Sequence, residues 1–128
     1  MNKKERQIVF NKFGGKCAYC GCELQKGWHI DHINPIRRNE TDESIERMNA
    51  YRKTPLKRGE DKVENYNPAC RQCNIWKSTY SIEQFRKEVS EQINRLNNYS
   101  ANYRNAKRFG LIEETGIDIE FYFETFKY

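Results

Sequence analysis

Residues 28–38, WHIDHINPIRR, contain both histidines of the chain, His29 and His32, with Asp31 between them. Histidine changes charge near neutral pH and is a common metal ligand, so this stretch is where acid–base or metal chemistry would concentrate. The segment KGWHIDHI, residues 26–33, has the short, bounded, partly apolar character of a strand. Asn34-Pro35 closes it, because proline cannot donate to a ladder and restricts the residue before it. Outward from this stretch lie two CxxC pairs, Cys17/Cys20 within GGKCAYCGCEL at 14–24 and Cys70/Cys73 within ENYNPACRQCNIWK at 64–77.

Four thiolates in two CxxC pairs match a closed tetrahedral zinc site, with Zn–S distances of about 2.3 Å and no open position for hydrolysis. The pairs are separated by 49 residues, whereas an ordinary zinc ribbon has about 15–20. The metal would therefore close a large loop containing both histidines and contribute on the order of 10 kcal/mol to folding. Cys22 lies close enough in sequence to Cys20 to act as a substitute ligand.

With 128 residues and 37% hydrophobic side chains, the chain suits one domain with a modest core, and a chain of this size gains from a staple. The start MNKKERQIVF is charged and has no long apolar run, which predicts a cytoplasmic chain with its thiols reduced. No stretch approaches the roughly 20 apolar residues of a membrane span. Charge is uneven: +5 over residues 1–38, −1 over 39–64, +5 over 65–109 and −4 over 110–128, so an acidic end masks a body of +9. Such a body attracts a polyanion, nucleic acid being the commonest, although a solvated basic surface kept for solubility would look the same.

An opening helix is expected over residues 3–13, with Ile8, Val9, Phe10 and Phe13 on one side and Gly14-Gly15 ending it. Residues 37–64 are charge-rich and read as an insertion, with a short helix from Ser44 to about Arg52. Beyond the second pair, Ser81 and Gln84 form a capping-box pattern, and Phe85, Val89, Ile93 and Leu96 recur at helical spacing, predicting a face that packs on the body. A shorter helix is expected from Ser100 to Phe109, ended by Gly110. The end alternates Ile117, Ile119, Phe121 and Phe123 against polar residues, which predicts a half-buried strand. The layout is an α+β core over residues 1–80 and a helical and β extension over 81–128 packed on the same domain.

The ordered set CxxC, HIDH followed by Pro35, and ENYNPACRQCNIWK resembles the zinc-bearing branch of the HNH endonuclease family over residues 5–80. The overall layout also resembles small phage-encoded members. The resemblance implies a ββα-metal fold, two short antiparallel strands and a helix around one catalytic magnesium or manganese ion, clamped by a four-cysteine zinc site. It implies that His32 is the general base, that Asp31 and Asn74 hold the catalytic ion, and that Asn65 braces the loop carrying His32. It implies DNA as the substrate; a protein partner, in phage packaging or elsewhere, is not indicated by name.

The chemistry suits those residue types, since a base must take a proton near neutral pH while a cation stabilises the leaving oxygen. Magnesium is held by few protein ligands and keeps much of its water. Successive residues on a regular strand point to opposite faces, so the strand must end or twist at Asp31-His32, and His29 is the reserve for ligand or base. Asn67 competes with Asn65 for the bracing role, and Asn74 could be a helix N-cap instead. Arg37, Arg38, Arg71 and Lys77 are the expected phosphate contacts. Trp76 is expected in the core, with base stacking as the alternative. The rival to a nuclease is a zinc-stabilised DNA-binding or adaptor module that has lost cleavage; a secreted nuclease toxin is disfavoured for want of an export or receptor domain.

Overall fold

The fold is given by a computed structural model, which describes residues 2–37, 40–53 and 55–127. It is mixed α and β, with one two-stranded sheet among the described residues. Helix α1, Lys3–Asn11, begins where the Asn2 side chain accepts the Glu5 N–H. It buries Val9 but leaves Ile8 half-exposed. The helix stops at Asn11, two residues short of the expected 13, and Gly14 and Gly15 beyond it both take positive φ. That lets the chain turn back so that Leu24 N–H bonds Gly15 O and Cys17 N–H bonds Cys22 O.

Strand β1, His29–His32, pairs antiparallel with β2, Tyr66–Ala69, placing His29 opposite Ala69, Asp31 opposite Asn67 and His32 opposite Tyr66. Between them, α2 spans Asp42–Asn49. It starts earlier than the expected Ser44, because Thr41 accepts the Ser44 N–H and sets the N-terminus there. The insertion is fastened back to the end of β1 by Gly59, whose N–H bonds Pro35 O at 2.8 Å. A Cβ at position 59 would fall 1.6 Å from Asn34 O, so the backbones meet too closely for any other residue. A 3-10 turn, Val63–Asn65, leads into β2, and α3, Arg71–Lys77, follows it and packs on both strands.

The core gathers Phe13, Cys17, Ala18, Tyr19, Ala69, Phe85 and Phe121. Tyr19 meets Phe85 and Phe121 edge-on, each with ring centroids 5.4 Å apart, an arrangement favoured by the ring quadrupoles. Residues 81–128 thus reach the core through Phe85 and Phe121. Ser81 caps α4, Ile82–Ser90, by accepting the Gln84 N–H.

Two expectations for this extension fail. The apolar stripe does not lie on one helix: the chain breaks at Glu91, α5 spans Gln92–Tyr99, and Ile93 and Leu96 are partly exposed while Phe85 is buried. Helix α5 packs on α6, Ala101–Arg108, rather than on the aromatic core, so the stripe loses its partner after α4. The terminal strand is also absent. Residues 111–121 form no strand, and α7, Tyr122–Thr125, closes the chain. Among the described residues no strand pairs with this segment; Tyr122 and Phe123 N–H instead bond Tyr19 O and Ala18 O, Phe121 enters the core, and Ile117 stays 74% exposed. None of the helices is long and apolar enough to cross a membrane among the described residues.

Candidate functional site

Helix α3 has a group of thiols at its start and a cleft along its side. Cys70 is the N-cap of α3, and its sulfur accepts the Cys73 N–H. The turn after Gly14-Gly15 brings Cys17 and Cys20 against them, so that the sulfurs of Cys17, Cys20, Cys70 and Cys73 all lie within 4.8 Å of one another. These four can hold a metal ion. Cys22 is exposed and not one of the group. A hydrogen bond from Cys73 pulls the Cys17 thiol down to about 4; burial opposes this, and backbone N–H groups of Cys70, Cys20 and Tyr19 assist it. The same contact, then burial, pushes Cys73 up. The cluster therefore stabilises thiolate at Cys17, the form that binds metal.

The cleft, about 720 Å³, is lined by Asp31, His32, Arg37, Glu40, Asn74 and Thr79 among others. Three residues singled out in the sequence, Asp31, His32 and Asn74, therefore share one cavity wall. His29 is exposed and not on that wall. Asn74 sits within α3, whose cap is Cys70, so it is not the N-cap.

The ladder pairing continues through His32. Ile33 N–H still bonds Asn65 O at 2.8 Å, and the two neighbouring side chains take separate partners. Asp31 is 5% exposed, and its Oδ2 accepts from the Tyr19 hydroxyl and from Lys77 Nζ, the latter at 2.9 Å. Burial pushes the Asp31 carboxyl up, against the charge of Lys77 and the bond from Tyr19. Burial likewise lowers Lys77, against the charge of Asp31. Tyr19 is pushed up by burial and then by the Asp31 charge, so it remains a donor. On the other side, His32 Nε2 lies 3.1 Å from Asp61 Oδ1, and its ring stands edge-on to Tyr66 at 5.1 Å between centroids.

Asn65 holds the loop that follows His32. Its Oδ1 accepts the Asn34 N–H, and its Nδ2 donates to Asn34 O and Glu60 O, each at 2.9 Å. Asn67 is buried and donates instead to the Tyr19 hydroxyl at 3.4 Å.

The expected phosphate contacts fare differently. Lys77 must be withdrawn: its side chain is 0% exposed, and its ammonium is spent on Asp31 and on His32 O at 2.9 Å. Arg71 is exposed. The Arg37 side chain is 10% exposed, reaches Glu40 and Thr79 O, and keeps a buried Nε with no hydrogen-bond partner among the described residues. Arg38 lies outside the described residues. Trp76, expected in the core, is 55% exposed, because α3 buries the side carrying Lys77. Nothing in the sequence singles out Asp61, one of seven carboxylates in a charged insertion. Tyr19 carried a fair signal, an aromatic residue enclosed between two cysteines. Compared with protein-family models, with curated proteins and with solved structures, the chain finds no match in any of the three.

Proposed function

We propose that the chain is a divalent-metal-dependent HNH DNA endonuclease on a ββα-metal core, with zinc in the four-thiol cluster as its clamp. The observation that carries this reading is the shared cleft wall of Asp31, His32 and Asn74 beside β1 and α3. The brace that Asn65 places on the loop after His32 adds to it.

The residues fit a magnesium or manganese ion. Among the described residues, both bonds to Asp31 fall on Oδ2, and neither Oδ1 nor the Asn74 side-chain amide has a hydrogen-bond partner. One carboxylate and one amide oxygen suit magnesium, which is completed by water and substrate phosphate. When bound, the ion supplies stabilisation of charge on the leaving 3′ oxygen.

Asp31 and Asn74 would hold that ion, and Lys77 and Tyr19 hold Asp31. His32 takes a proton from the attacking water, and the products carry 5′-phosphate and 3′-hydroxyl ends. Arg37, which lines the cleft, and Arg71, exposed at the start of α3, contact phosphates. The +9 body draws DNA toward the cleft.

One observation favours a second reading, a zinc-stabilised DNA-binding or adaptor module without cleavage: the Lys77 ammonium already balances the Asp31 charge. Plasmid nicking in magnesium, set beside the same assay in EDTA, separates the two. Magnesium-dependent nicking supports the nuclease, and DNA binding without nicking supports the module.

A further inference from the structure

The charged insertion, residues 37–64, returns to the end of β1 and sets a carboxylate against His32. The positions around that carboxylate are fixed by backbone contacts. Gly59 N–H bonds Pro35 O, Glu60 O accepts from Asn65 Nδ2, and Asn65 N–H bonds Lys62 O. Between these anchors, Asp61 Oδ1 meets His32 Nε2 at 3.1 Å and also accepts the Tyr66 hydroxyl. Tyr66 stands opposite His32 in the sheet, so one carboxylate oxygen serves two cross-strand neighbours. The Tyr66 hydroxyl is pushed up to about 12, first by this bond, and stays a donor.

A carboxylate can only accept, so the nitrogen that meets it must carry the proton. In a neutral imidazole the other nitrogen is then bare. Asp61 is not on the cleft wall whereas His32 is, and with Nε2 taken by Asp61 the nitrogen left free to accept a proton is Nδ1.

We infer that Asp61 is a positioning residue which holds His32 as the Nε2–H tautomer and leaves Nδ1 as the nitrogen that accepts the proton from water. The inference rests on the nuclease reading for the role of Nδ1, and on the Asp61–His32–Tyr66 geometry alone for the tautomer. It gives the insertion a function, to carry a tautomer-setting carboxylate to the end of β1.

The experiment is a long-range proton–nitrogen correlation of the His32 ring in the full zinc-loaded chain, at a pH where the ring is neutral, beside nicking kinetics on plasmid DNA. The wild-type chain should show a pyrrole-type Nε2 and a pyridine-type Nδ1. Asp61→Ala should lose that single pattern and lower kcat about 10- to 100-fold, the usual cost of losing a group that orients a working side chain. KM for DNA should stay unchanged, and the stability lost with the Tyr66 hydroxyl bond is read separately from the melting temperature. Asp61→Glu, which keeps a carboxylate acceptor, should restore the pattern in part. A pyrrole-type Nδ1 in the wild type, or an Asp61→Ala chain with the wild-type pattern and rate, overturns the inference. A wild-type chain that does not nick DNA overturns the nuclease reading and the base role with it, while the nitrogen pattern separately decides the pairing.

Discussion

The two ends of α3 solve the problem of concentrated charge in opposite ways. At its start, four thiols lie within 4.8 Å of one another and leave the pairing to a cation from outside. At its end, Asp31 is matched from within by the buried Lys77 ammonium at 2.9 Å, with the Tyr19 hydroxyl on the same oxygen. A closed set of soft donors binds metal as part of folding, whereas a lone, already balanced carboxylate keeps little attraction for a free cation. Under the nuclease reading, the ion at the cleft therefore gains most from the phosphate that arrives with it.

The largest expected effect is at the thiol end. Cys17→Ser, or chelation of the metal, should remove stabilisation on the order of 10 kcal/mol and unfold the chain. Circular dichroism with elemental analysis checks this; retention of structure after loss of one zinc per chain would break the contrast between the two ends. Next comes the internal pair. Asp31→Ala should cost about 3–5 kcal/mol, because it leaves the Lys77 ammonium buried and unmatched. The double change Asp31→Ala with Lys77→Met should recover much of that loss in urea denaturation, a coupling that additive single effects would rule out.

Tyr19 joins the two ends, its backbone between Cys17 and Cys20 and its hydroxyl on Asp31. Tyr19→Phe should cost about 1.5–3 kcal/mol, the range for a hydrogen bond to a charged group, while zinc stoichiometry stays the same. A loss of zinc would mean that the two ends are not separable. The smallest effect belongs to exposed Arg71. Arg71→Ala should change stability by no more than about 0.5 kcal/mol. It should lower the salt slope of DNA binding by about one unit, the share of one phosphate. An unchanged slope would remove Arg71 from the interface.

What could be read from the chain follows the same division. The cysteine spacing named all four thiols because CxxC is a local pattern whose partners are identical side chains. Strand β1 was similarly accessible, being bounded by Asn34-Pro35, whereas the Asn65 brace was implied only by the family resemblance, with Asn67 as its competitor. The Asp31–Lys77 pair was not, since a lysine after a knuckle reads as a surface cation until the side of α3 that packs on β1 is known. Asp61 carried no local signal, as its partner lies 29 residues away across the insertion. The stripe Phe85, Val89, Ile93, Leu96 misled because periodicity shows a face but not how far its partner extends. The alternation at 117–123 misled because a strand needs an edge to pair with, and two backbone bonds to Tyr19 and Ala18 took its place.

The central claim is that the cleft cuts DNA with His32 as its base. The most direct test is plasmid nicking by the zinc-loaded chain in magnesium, beside His32→Ala and with DNA affinity measured for both. Magnesium-dependent nicking in the wild type is expected, with a fall of about 100- to 10,000-fold in His32→Ala, the span of general-base contributions. Affinity should be nearly unchanged, since the base acts in the transition state. Equal nicking by His32→Ala, or tight DNA binding by the wild type with no nicking in magnesium, would contradict it.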